Sequence, residues 1–83
     1  MSAADISAHI VDALEQVVAQ ETGAATALVS VSVNMIAGGE IAYIDARIER
    51  KTRTLAFAQA EAFGPGETHL ASATSVHKIR GAM

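Results

Sequence analysis

From Ile6 to Val18 the apolar residues fall three and four positions apart. Ile6, Ile10, Ala13, Leu14, Val17 and Val18 make one broad stripe, with Ser7, Glu15 and Gln20 across from it. That period predicts an amphipathic helix over residues 3–21. Ser2 followed by Asp5 predicts a capping-box-like start, and the Asp5 carboxylate suits the positive end of the helix dipole. Gly23 suits the other end.

From Ala27 the period changes to two, and four strands are predicted, at 27–36, 40–50, 53–63 and 67–79. In the first, Val29, Val31, Val33 and Met35 share a face and Leu28, Ser30, Ser32 and Asn34 form a polar back. In the second, Ala42, Ile44, Ala46 and Ile48 oppose Ile41, Tyr43, Asp45, Arg47 and Glu49. The third gives a whole face to Ala56, Ala58, Ala60 and Ala62, with Leu55, Phe57, Gln59, Glu61 and Phe63 opposite. The fourth aligns Ala71, Ala73, Ser75 and His77. Breaks fall at Ala37-Gly38-Gly39, Lys51-Thr52 and Gly64-Pro65-Gly66, and residues 80–83 read as a frayed tail.

Short turns predict an antiparallel meander. The fold class expected is α+β: one N-terminal helix on a four-stranded, mainly antiparallel sheet, in one domain. Buried strands usually carry Val and Ile. Alanine in alternation predicts that something bulky lies close to that face, and the helix is the element with a stripe to bury. On the opposite side, Leu55, Phe57, Phe63, Ile41 and Tyr43 would leave an apolar outer face, which predicts contact with another subunit.

Composition sharpens this picture. With 83 residues, no cysteine, and 51% hydrophobic against 18% charged residues, the chain has a thin core and no disulfide to brace it, so self-association is expected. Net charge −3 and a pI near 5.4 argue against nucleic acid, which wants clustered Lys and Arg. No apolar run approaches the roughly 20 residues of a membrane helix, and the acidic start is unlike a signal peptide. A cytoplasmic location is the expectation.

Asp5, His9 and Asp12 share a helix face and form a conceivable metal cluster, but no second segment offers a completing ligand; no metal is assigned. His69 and His77 read as ordinary strand residues, and the two glycine turns lack the strand–glycine–helix context of a phosphate loop.

RIERKTRTLAFAQAEAF, a glycine turn, then HLASATSVHKI resembles the closing strands of hotdog-fold acyl-CoA thioesterases, the phenylacetyl-CoA thioesterase-like group. VSVSVNMI resembles the strand after that family's central helix. The likeness spans roughly residues 6–79 and is most specific over 47–75. It implies a sheet wrapped round a central helix, assembly as a dimer or tetramer, and acyl-CoA or acyl-carrier thioesters as substrate, with coenzyme A present only as part of the substrate and no other cofactor. Counted back from Gly23, the family's catalytic carboxylate position falls on Asp12. The His-Gly-Gly segment that polarises the thioester carbonyl falls near Ala3-Ala4-Asp5, which has no glycine. The family's first strand also has no counterpart, so the expectation is a hotdog shortened at its N-terminus.

Two roles for Asp12 stay open at this point: a carboxylate that activates water, or a solvated group that pairs with His9. Arg47, Arg50, Lys51 and Arg53 gather at one hairpin, where forked Arg donors suit the phosphates of coenzyme A. They equally suit a solvated turn that guards a sheet edge. The functions expected are a thioesterase, or a non-catalytic module that binds an acyl ligand or serves in assembly.

Overall fold

The computed structural model describes residues 3–80. The cap expected at Ser2, and residues 81–83 of the expected frayed tail, lie outside the described residues. Helix α1 (Ala3–Thr22) is followed by strands β1 (Ala25–Met35), β2 (Tyr43–Lys51), β3 (Leu55–Phe63) and β4 (His69–Arg80), with a 3-10 turn at Pro65–Glu67 before β4. The helix closes on Gly23, whose φ of 62° only glycine adopts without strain. The Gly23 N–H donates to the Ala19 carbonyl at 3.0 Å.

The sheet order is β1-β4-β3-β2, antiparallel throughout. Strands β2, β3 and β4 form the expected meander. The link from β1 to β2 is not a hairpin, because β1 lies at the far edge beside β4. Residues 36–42 therefore cross the end of the sheet. The N–H groups of Ile36 and Ala37 both donate to the Leu70 carbonyl, at 2.8 and 3.0 Å, and Ala42 N–H donates to Phe63 at 2.7 Å. Gly64 lies beneath this crossing: a Cβ there would stand 3.1 Å from the Glu40 carbonyl oxygen and 3.5 Å from Leu70. The crossing also delays the start of β2 and overturns two face assignments. Ile41 packs against the core rather than outward, and Ala42 is exposed rather than beneath the helix. Arg80, expected in the frayed tail, is paired with Ala25.

Cross-strand register explains the alanines. Ala56, Ala58, Ala60 and Ala62 of β3 face His77, Ser75, Ala73 and Ala71 of β4. These two central strands make a floor of mostly small side chains. The flanks carry larger ones: Ile44, Ala46 and Ile48 on β2 opposite the alanines, and Val31, Val33 and Met35 on β1 opposite Ser75, Ala73 and Ala71. The result is a trough, and α1 lies in it. Ile6, Ile10, Leu14 and Val18, one per turn, are fully buried against the alanines, Leu70, Ala71 and Ala73. Burying each such side chain contributes about 1.5–3 kcal/mol. The alanine row is thus a seat for the helix.

Three register shifts interrupt the simple alternation, between Leu28 and Ser30 on β1, between Ile48 and Arg50 on β2, and between Ala62 and Phe63 on β3, opposite His69 and Ala71 of β4. The first puts Leu28 level with His77 and Val31 level with Ser75, so Leu28 lies on the helix side and not on the polar back. Strand β1 is also far more exposed than a half-buried strand: it is an edge, and only Val33 among its valines is packed against the core.

Candidate functional site

The α1 ridge at positions 6, 10, 14 and 18 faces the sheet, and Asp12 sits about 180° from its centre at 100° per residue. Asp12 is exposed, and its Oδ2 accepts a 2.8 Å hydrogen bond from Gln16 Nε2, one turn on. The partner of Asp12 is therefore Gln16 rather than His9. The carboxylate is held by its own helix and open to whatever approaches that surface.

The basic hairpin lies elsewhere. Residues 47, 50, 51 and 53 are all exposed. Thr52 organises the turn, its N–H donating to the Leu55 carbonyl at 2.8 Å and its hydroxyl accepting from Leu55 N–H at 3.1 Å. Arg47 is drawn back along β2 to Asp45, at 3.4 Å. The β2 bulge turns Arg50 over the Phe57 ring, 5.0 Å from its centre. Glu49, Arg50 and Phe57 line an open depression of about 410 Å³. Phe57 points away from the alanine face, so this depression is on the outer side of the sheet, whereas Asp12 crowns the helix on the other side. One subunit does not bring Asp12 and Arg50 together.

The outer face also carries Tyr43 and Phe63, as the alternation predicts, and His69 joins them. Tyr43, Phe63 and His69 stack across three strands, with ring centres 5.0 and 5.2 Å apart. The Tyr43 hydroxyl donates to Glu67 at 2.8 Å, and this bond raises the phenol above its ordinary pKa. His69 Nε2 lies 3.8 Å from Glu61. The stack could not be found by alternation alone. It depends on the register of three strands, including an irregularity between Ala62 and Phe63.

Beneath the helix, Ser75 and His77 lie two apart on one face of β4, with Ser75 Oγ 2.7 Å from His77 Nε2. Both are buried, His77 completely, and His77 Nδ1 has no hydrogen-bond partner among the described residues. Burial pushes the imidazole pKa down, and the Glu15 carboxylate on α1 opposes that shift. A serine beside a histidine is the pattern of a nucleophile and its base. Here neither reaches solvent, so the pair is a polar patch of the core. The sequence reading had placed both residues on one strand face. Their burial depends on how the helix is seated over them.

No protein-family model and no curated protein matches the chain. Solved structures do. A Bacillus halodurans protein crystallised with CoA superposes with a TM-score of 0.84 at 12% identity, over 95% of this chain and 55% of that one. An acyl-CoA hydrolase from Agrobacterium tumefaciens gives 0.76 at 16% identity, over 95% of this chain and 36% of that one. A Streptococcus mutans protein bound to acetyl CoA gives 0.74 at 21%, over 89% and 64%. The chain therefore spans less than two thirds of each of these proteins. Among the described residues no helix is long and apolar enough to cross a membrane. One helix seated on an antiparallel four-stranded sheet, with backbone agreement this close, gives the chain the hotdog fold of the thioesterase-superfamily structures.

Proposed function

We propose that the chain is a thioesterase-like protein that hydrolyses acyl-CoA or acyl-carrier thioesters. The observation that carries this reading is the fold: the similar structures include an acyl-CoA hydrolase and proteins holding CoA or acetyl CoA. Asp12 is the carboxylate for the chemistry. It takes a proton from water as the water oxygen attacks the thioester carbonyl carbon. The C–S bond then breaks, the thiolate leaves with that proton, and a carboxylic acid and a free thiol result. Arg47, Arg50, Lys51 and Arg53 hold the carrier's phosphates. Because Asp12 and Arg50 lie on opposite sides of one subunit, this reading needs a second copy to complete each site, and so entails a dimer or tetramer.

The alternative is a non-catalytic hotdog module that binds an acyl ligand or serves in assembly. It is favoured by the surroundings of Asp12, an exposed carboxylate bonded to a neighbouring glutamine, as on many helix surfaces. A panel of acyl-CoA chain lengths, assayed for thiol release, separates the two. Hydrolysis by wild type that falls at least 100-fold in Asp12→Asn supports the first reading, in line with the loss of a general base. Absence of turnover, with acyl-CoA still raising the melting temperature, supports the second. Under the first reading Arg50→Ala weakens acyl-CoA more than it weakens an acyl-pantetheine, which lacks the nucleotide phosphates.

A further inference from the structure

We propose that the outer face of the sheet, at the end where β2 turns into β3, docks on the surface of an anionic bilayer. The inference does not rest on the thioesterase reading, and two of its cations, Lys78 and Arg80, have no part in that reading.

The chain has six Lys and Arg residues. Register places all of them between the middle of the sheet and this end. Arg47 is level with Gln59 and Thr74, Arg50 with Phe57 and Val76, and Lys78 with Leu55 and Ala27. Arg80 pairs with Ala25, and Lys51 and Arg53 flank the turn. All six are exposed. Among the described residues of these strand ends, Glu49 is the one carboxylate. The other acids of the sheet gather at the far end, where Asp45 faces Glu61 and Glu67 bonds Tyr43. Helix α1, on the opposite side, carries Asp5, Asp12, Glu15 and Glu21 and no Lys or Arg. A net charge of −3 thus hides a molecule with one basic end. Guarding a sheet edge accounts for the cations of β2. It does not account for Lys78 and Arg80, because β4 lies inside the sheet, between β1 and β3.

Apolar side chains lie between these cations. Leu55, Phe57 and Val76 are half-buried on the side away from α1. Arg50 lies over the Phe57 ring, 5.0 Å from its centre, and the two line an open depression. Long basic side chains over an apolar floor suit a bilayer interface: stems and rings meet the acyl boundary, and charged heads meet the lipid phosphates. The size of the patch selects a surface over a point ligand. It runs from the level of Thr74 to Arg80, about 20 Å along β4, and about 10 Å across from β4 to β2. One phosphate group fills a fraction of that area, whereas an anionic leaflet offers charge across all of it. A nucleic acid also spreads its charge, but it runs on past the contact, toward Asp45, Glu61 and Glu67 on the same face. A bilayer is met by the basic end alone, with the acidic end tilted away.

Vesicles of phosphatidylcholine alone, and with about one third phosphatidylglycerol, are the probes for sedimentation of the full chain. The chain should sediment with the anionic vesicles and not with the neutral ones. Raising salt from about 0.05 to 0.5 M should release it, as screening requires. Lys78→Gln combined with Arg80→Gln should weaken binding at least tenfold with the circular dichroism spectrum retained, since each cation near such a surface contributes about fivefold. Glu67→Gln, at the acidic end, should not weaken it. Absence of sedimentation at the lower salt overturns the proposal, as does equal binding to neutral vesicles, or binding that the double variant leaves intact. Tighter binding to duplex DNA than to anionic vesicles in the same buffer overturns it in favour of a nucleic acid. Where the double variant fails to fold, Arg53→Gln at the turn decides in its place: about a fivefold loss supports the proposal and no loss overturns it. Thiol release enters none of these outcomes, so failure of the thioesterase reading leaves them unchanged.

Discussion

Ala60 faces Ala73 across the two central strands, and both are buried under α1. The side chain at 60 is small because the helix backbone needs the space, so added methylenes have nowhere to go. Ala60→Leu should destabilise the fold by about 1–3 kcal/mol, the usual cost of overpacking, as read from the urea midpoint at unchanged m. Gln59→Leu, one residue along and on the outer face, should change it by less than about 0.5 kcal/mol. His77 is the other telling residue. Its imidazole is buried and its pKa lies below the ordinary 6.5. The unfolded chain therefore binds this proton more readily than the folded one. Stability from this source is full above about pH 6.5 and is lost as pH falls from there through the lower folded pKa. The groups that bear on this titration are Glu15 on α1, which opposes the shift, and Ser75 on β4, the hydrogen-bond partner of Nε2. Strand β1 brings no charged residue, and Lys51, level with His77 two strands away, is exposed. Melting temperatures measured between pH 8 and 5 should fall for wild type, and the slope should flatten in His77→Leu; equal slopes would show that other groups dominate.

At the scale of elements, the helix depends on four side chains, one per turn, and Leu14 is fully buried among them. Leu14→Ala should cost about 2–5 kcal/mol, measured by denaturant unfolding, with the loss of helical signal and of the whole sheet coincident because the trough has no other filler. The helix and its alanine seat were legible in the sequence because both are periodic: apolar residues three and four apart, and methyls two apart. What alternation could not reveal were the places where it fails. The bulge after Leu28 flips that residue to the helix side, and the crossing over Gly64 turns Ile41 inward and Ala42 outward. Nor does alternation specify neighbours. Short turns suggested that β1 and β2 adjoin, whereas β1 pairs with β4. The Tyr43–Phe63–His69 stack follows from register, and the burial of the Ser75–His77 pair from helix placement, which are long-range facts. Asp12 and the basic hairpin were each placed on the right element by sequence, but that they lie on opposite sides of the sheet emerges only from the packed molecule.

The whole molecule is one thin layer of helix on one layer of sheet, with principal extents of 43, 19 and 15 Å. Two layers of this size leave much apolar surface open, and its distribution is uneven. The β2 edge is charged and the β1 edge is apolar. If a second copy covers β1, part of the fold's stability belongs to the pair and must follow mass action. A tenfold rise in protein concentration contributes about 1.4 kcal/mol per dimer, or about 0.7 kcal/mol per chain. For a domain of this size that corresponds to roughly 3–6 °C in melting temperature. Scanning calorimetry at about 10 and 100 µM should show this rise for wild type and none for Val31→Lys. The comparison separates two sources of fragility that a single melting temperature confounds. A helix poorly seated in its trough would lower the temperature equally at both concentrations, because that loss lies within one chain. An uncovered edge would lower it most when the protein is dilute, because the missing neighbour is another molecule.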